Sequence, residues 1–119
     1  MKTEVAIWKR CVQSLMPEYV VALTTCPPEM SEKLARILVE HKACACVNIV
    51  PGVKSIYHWK NEIVSEGESI LIMKTQEDHR DVLWKTIKEN HPYEVPEFVV
   101  LPIAGGSKDY LDWISNSII

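Results

Sequence analysis

Residues 44–76 read CACVNIVPGVKSIYHWKNEIVSEGESILIMKTQ. Two apolar, β-branched-rich arms meet at the polar pair Lys60-Asn61, which predicts one long β-hairpin turning there. The arms are long for the chain that carries them. At about 3.3 Å per residue, Cys44 to Trp59 would span roughly 50 Å if straight, whereas a compact chain of this size is only about 35 Å across. The hairpin must bend, project, or both. Pro51-Gly52 is placed to bend it, since proline cannot donate to the ladder and glycine often marks a bulge. Odd positions Val47, Ile49, Val53, Tyr57 and Trp59 alternate with even positions Cys44, Cys46, Asn48, Val50, Ile56 and His58. A bulge at 51–52 would swap the faces beyond it. In the return arm Gly67 marks a second expected irregularity, and Ile70 to Met73 is apolar on both faces. The base of the hairpin is therefore expected in the subunit core. Its distal half is an apolar projection that needs cover, and another copy of the chain is the expected cover.

Elements of alternating type flank the hairpin. Tyr19 to Thr25 is a β-branched run, expected as a central strand because both faces are apolar. Pro27-Pro28 then suits a helix start, with Met30, Leu34, Ile37, Leu38 and His41 on one side. After the hairpin, Thr75 to Asp78 offers cap chemistry for a second helix with Val82, Leu83 and Ile87 buried, ending at Asn90. His91 to Pro96 is a proline-stiffened loop. Glu97 to Leu101 is an expected short buried strand, and Ser107 caps a last helix with Tyr110, Leu111 and Ile114 on one side. The order β-α-β-β-α-β plus a C-terminal helix is the ferredoxin-like, split βαβ arrangement of the α+β class. Residues 1–18 stand apart as an extension, helical or disordered, and residues 19–119 form the domain.

Composition bounds the function. A chain of 119 residues suits a single core, and 47% apolar with 24% charged residues is ordinary for a globular protein. A net charge of −3 argues against nucleic acid or an anionic membrane surface as partner. No apolar run approaches the ~18 residues of a membrane span. With no secretory leader pattern, Cys11, Cys26, Cys44 and Cys46 are expected as reduced thiols, and the expected location is cytoplasmic. Gly-rich phosphate loops and the common hydrolase motifs are missing, so an enzyme is not expected.

The segments ACVNIVPGVKSIYHW, ILIMKT, NHPYEVPEFVVLPI and YLDWI, in this order and at this spacing, resemble those of the CutA family of divalent-cation tolerance proteins. The resemblance covers Tyr19 to Ile114. It implies a homotrimer of ferredoxin-like subunits, similar in shape to the PII signalling proteins, knitted together by the long hairpins. It also implies a role in metal tolerance and homeostasis, with an intersubunit cleft at Tyr57, Trp59 and Trp113. Some members bind metal through a first-strand cysteine and two adjacent histidines before Pro-Tyr. Here Thr24 and Asn90 stand at the first two of those places, and His91 remains.

Several side chains are candidates for chemistry. His91 and Glu97, with Cys26 at the strand end, could ligate copper(II) or zinc(II) weakly. The HPYEVPE loop holds His91, Tyr93 and Glu97 at low entropic cost. Lys74, beside buried strand residues, is expected to bind an anionic ligand or to pair with Glu66 or Glu68 of a neighbour. Tyr57, Trp59, Glu68, Lys74, Tyr93 and Trp113 thus make up the expected intersubunit cleft. Cys44 and Cys46, two apart on a strand, would face one way, more as small buried residues than as a thiolate pair for soft metal. The leading expectation is a trimeric protein that binds divalent metal, copper foremost. The alternative is a PII-like signalling or anchoring module with a protein partner and incidental metal.

Overall fold

The computed structural model describes residues 18–119; the expected N-terminal extension, helical or disordered, falls almost wholly outside them. Strand β1 (Tyr19–Cys26) alternates strictly, with Val20, Ala22, Thr24 and Cys26 buried and the odd positions partly open. A 3₁₀ turn at Pro28–Met30 leads into helix α1 (Ser31–Glu40). Proline suits such a first turn because its missing N–H has no partner to lose there. The helix buries Leu34, Ala35 and Leu38, and at its end His41 Nδ1 donates to the Ile37 carbonyl at 2.8 Å. Strands β2 (Cys46–Trp59) and β3 (Glu62–Gln76) form the hairpin. A second 3₁₀ turn, Glu77–His79, precedes helix α2 (Arg80–Asn90), and β4 (Val99–Pro102) and helix α3 (Lys108–Ser117) complete the chain.

The sheet order is β2-β3-β1-β4, every pair antiparallel. This is the ferredoxin-like α+β fold. Its core lies between the sheet and α1 and α2, built on Ala22, Leu34, Leu38, Leu71, Met73, Leu83 and Ile87. The hairpin turns at Lys60 (φ 50°) and Asn61 (φ 65°). Two successive positive φ values make the tight turn whose twist matches its strands. The arm overruns the other strands: β1 reaches only to the Cys26–Ser69 pair, so residues 53–68 stand as two strands. The radius of gyration, 16.9 Å, accordingly exceeds the ~13–14 Å of a compact chain this long.

The bend sits where Pro51-Gly52 predicts it. Val50 pairs with Ile70 and Val53 with Glu68, so β2 advances three residues while β3 advances two. Gly52 takes φ +72° at this bulge, a conformation nearly free of cost only for glycine. The faces swap there. Val53, Ser55, Tyr57 and Trp59 lie on the same face as Cys46, Asn48 and Val50, opposite Glu68, Glu66, Val64 and Glu62 of β3.

Several local expectations are corrected. Gly67 pairs with Lys54 in an unbroken ladder and marks no irregularity. Thr75 caps nothing: it lies within β3 and its hydroxyl donates to the Ala43 carbonyl at 3.0 Å, tying the hairpin base to the turn after α1. Val82 is exposed, and Leu83, Thr86 and Ile87 make the buried stripe of α2. β4 is an exposed edge rather than a buried strand, with Val99 and Leu101 nearly half open; Pro102 is tolerated because an edge has N–H positions without partners. Cys44 precedes β2 and is sealed in the core, while Cys46 lies on the opposite, open face. The two thiols therefore do not face one way.

Helix α3 is capped by Ser107, whose hydroxyl accepts from the Tyr110 N–H at 3.1 Å. It covers one end of the sheet face remote from α1 and α2. Ile114 and Ile118 pack on Ala45, Tyr19 and Leu111, and the Tyr19 and Ser115 hydroxyls share a 2.6 Å hydrogen bond. Tyr110 turns outward instead of joining the buried side. Beyond the reach of this small cluster, Leu23, Thr25, Val50, Ile70, Ile72, Val99 and Leu101 share the same face by register, all partly or largely exposed.

Candidate functional site: an acidic cleft beneath the hairpin arm

The face swap at the bulge creates the site. It turns Ser55, Tyr57 and Trp59 toward the side on which Glu66 and Glu68 project. The 91–97 loop closes under them, giving an open cleft of about 710 Å³ lined by Thr25, Tyr57, Trp59, Glu66, Glu68 and Tyr93, with Glu94 and Glu97 on the loop side.

The loop is anchored at both ends. At its start, His91 Nε2 donates to the Thr25 carbonyl at 2.7 Å, and Nδ1 accepts from the Tyr93 N–H at 3.1 Å. Each partner can play only one role, so the ring is held as one neutral tautomer with both nitrogens used. At its end, Phe98 stacks on Trp84 of α2, ring centres 5.0 Å apart. Between the anchors, the Tyr93 hydroxyl reaches the arm and donates to Glu68 Oε2 at 2.8 Å. Tyr57 donates likewise to Glu66. Both phenols are held protonated: the hydrogen bond to Glu66 pushes Tyr57 up to about 12, and burial, then Glu68, raises Tyr93 further.

Glu68 is 4% exposed, and among the described residues no Lys, Arg or His lies within ion-pair distance of it. Burial, then the charge of Glu68, raises the Glu97 carboxyl above the usual range. A carboxyl raised by folding favours the folded state when protonated, and that contribution is lost as pH rises through its folded value. Glu97→Gln should therefore raise the melting temperature at neutral pH. The gap to the unmodified protein should close as pH falls through the carboxylate range, which a pair of melting series would read.

The expected metal set does not assemble. Cys26 is fully buried on the helix side of the sheet, its thiol pushed up to about 11 by burial, then Glu68 and Glu29. His91 has no free nitrogen, and Thr24 is buried among core residues. Among the described residues no three His, Cys, Asp or Glu side chains converge on one point. A copper or zinc ion held by sulfur and imidazole does not fit these groups.

Of the expected cleft residues, Tyr57, Trp59, Glu68 and Tyr93 line one cavity, together with Glu97 from the metal set. They do so within one chain, where the arm meets its own loop. Lys74 and Trp113 lie elsewhere. Lys74 sits opposite Cys46 at the far end of the open face and donates to Asn48, not to a glutamate. Trp113 stacks on Tyr110 along α3, 5.5 Å apart. Glu94, Val95 and Thr25 were not singled out from the sequence. The alternation of Glu66 and Glu68 carried the signal, once the bulge is allowed to swap the faces.

Comparison with known proteins places these features in context. The CutA1 divalent ion tolerance protein profile matches residues 20–117. The chain is 46% identical over 100 residues to the divalent-cation tolerance protein CutA of Thermus thermophilus, covering 84% of this chain and 97% of that one. It is 44% identical over 102 residues to the chloroplastic protein CutA of Arabidopsis thaliana, covering 86% of this chain and 56% of the relative. The chain thus spans little more than half the length of that plant protein. Among solved structures, CutA1 from Oryza sativa superposes with a TM-score of 0.83 at 42% identity, covering 86% and 94% of the two chains. The PII-like protein CutA from Nostoc sp. PCC 7120, in apo form, gives 0.79 at 42%, covering 87% and 98%.

Proposed function

This chain belongs to the CutA1 divalent ion tolerance family, and from that premise we propose that it is a non-enzymatic homotrimer of the cytoplasm that acts in metal tolerance by holding divalent cations weakly in the cleft beneath the hairpin. One observation carries the reading: Glu68, a carboxylate only 4% exposed in the wall of the cleft, pairs with no Lys, Arg or His among the described residues. Buried charges are normally paired, so the fold leaves a negative site to be filled. The trimer is supported by the open sheet face, where Leu23 and Ile72 are half-buried and Val50, Val99 and Leu101 are exposed, an apolar surface of the kind that subunit contacts cover. The free thiols Cys26, Cys44 and Cys46 suit a reducing compartment.

Copper(II) and zinc(II) remain the first cations to test, held by carboxylate oxygens and long-range attraction instead of by Cys26 and His91. Equilibrium titration should show binding that weakens about tenfold or more in Glu68→Gln, as loss of a charged partner implies. His91→Ala should change affinity only through a loosened loop. Equal binding by Glu68→Gln and the unmodified protein would sink the reading.

A second reading rests on a different surface. Ile56 and Ile63, 68% and 72% exposed, project with His58 from the face of the arm opposite Glu66 and Glu68, with Ile56 also at the cleft rim. Such side chains suit a protein partner of a PII-like signalling or anchoring module. Capture of that partner would need Ile56 and Ile63 and would be indifferent to a chelator.

A further inference from the structure

The C-terminal end of α3 is held by side chains that other elements supply. Its last turn has no basic residue of its own, although the closing carbonyls of a helix lack partners inside it and carry partial negative charge. Lys42, on the turn after α1, donates from Nζ to the Ile119 backbone oxygen at 3.0 Å. His79, which closes the 3₁₀ turn before α2, donates from Nε2 to the Ile118 carbonyl at 3.0 Å. Its other ring nitrogen, Nδ1, lies 2.8 Å from Asp78 Oδ1. A carbonyl and a carboxylate can only accept, and a neutral imidazole has one N–H to give. Both contacts are therefore made together only by the imidazolium, which donates from each nitrogen. His91 is the contrast: one of its two partners is a donor, so its ring is fully used when neutral.

We propose that His79 is a proton-operated latch on the end of α3. Histidine is the side chain whose charge changes between about pH 5 and 8, so the latch is closed at the lower end of that range and loses a contact as pH rises through it. The Asp78 carboxylate is the stronger acceptor. The neutral ring therefore keeps its proton on Nδ1 and turns a lone pair on the Ile118 carbonyl. Asp78 favours the charged ring and Lys42 opposes it, while Glu77 is spent on Arg80 at 2.8 Å. Residues 115–119 bring no charged side chain to the latch. Opening it loosens Ile118, 3% exposed, from its packing with Ala45 and Ile114 at the base of the hairpin.

The test is amide hydrogen exchange of the full-length protein, followed by NMR across the histidine range and corrected for the intrinsic pH dependence of exchange, with the His79 ring titration read in the same samples. Protection of the amides of residues 116–118 should fall about tenfold as the ring loses its proton, the loss expected for a hydrogen bond made by a charged group. His79→Gln keeps a neutral donor for the Ile118 carbonyl and should abolish the pH dependence. Asp78→Asn should abolish it as well, because its amide can donate to Nδ1 and lets the neutral ring close the latch. A histidine that only fills space would lose nothing to that second change. Should His79→Gln fail to fold, Asp78→Asn carries the test alone, its side chain being 76% exposed. Protection that stays level through the ring titration of the unmodified protein would overturn the proposal. So would a pH dependence that survives in either variant.

Discussion

Ile72→Asp should leave a folded subunit but abolish its assembly. Ile72 points away from α1 and α2, between Leu23 of β1 and Asn48 of β2, on the sheet face that α3 covers only at one end. In a lone subunit the new carboxylate reaches water and costs little. In the proposed trimer it would be buried in every copy with no cation opposite it, and each unpaired buried charge costs several kcal/mol. Sedimentation should show the unmodified protein as a trimer and Ile72→Asp as a monomer with the same circular dichroism. A variant that still sediments as a trimer would mean that this face is not the interface. A stable monomer of the unmodified protein at micromolar concentration would remove the trimer altogether.

Leu71→Ala, one residue earlier, should do the opposite and damage the subunit itself. Leu71 is fully buried in β3, the strand between β1 and β2, pairing with Thr24 and Ile49 and packing in the core cluster with Leu34, Leu38 and Leu83. Truncation there leaves a cavity that a two-layer core closes only in part, at a cost of about 2–5 kcal/mol. That is a large share of the ~5–15 kcal/mol by which domains are stable. Denaturant unfolding of the assembled protein at fixed concentration should show the loss directly, and a change below about 1 kcal/mol would contradict the placement of Leu71 in the core. The two neighbours differ because side chains along a strand alternate faces. One face makes the subunit, and the other is free to make the assembly.

Much of this was legible in residue patterns. The Lys60-Asn61 turn, the Pro51-Gly52 bulge and the Ser107 cap each follow from local chemistry that neighbouring residues cannot override. Gly67 and Thr75 misled because the same residue types serve regular strands when a partner accepts them. Gly67 lies flat in the ladder opposite Lys54, and Thr75 spends its hydroxyl on the Ala43 carbonyl. The candidate site was half legible. Tyr57, Trp59, Glu68, Tyr93 and Glu97 do meet. The use to which His91 is put was hidden, because a histidine in a stiff loop looks the same whether its nitrogens face a metal or a backbone.

By itself the sequence determined the order of elements, the hairpin with its turn and bend, and the family, because periodicity and turn residues act over a few positions. Only the tertiary structure decided where the charges stand. Within the subunit it sets Lys74 against Asn48 and Trp113 on α3, uses both nitrogens of His91, seals Cys26 beneath the sheet, and buries Glu68 with Tyr93 as its donor. The cleft contacts of Tyr57 and Trp59 depend on one extra residue at the bulge, which turns the distal half of β2 over. They depend also on a loop 25 residues further along that folds back beneath it, and contacts at that separation follow from packing, not from local propensity.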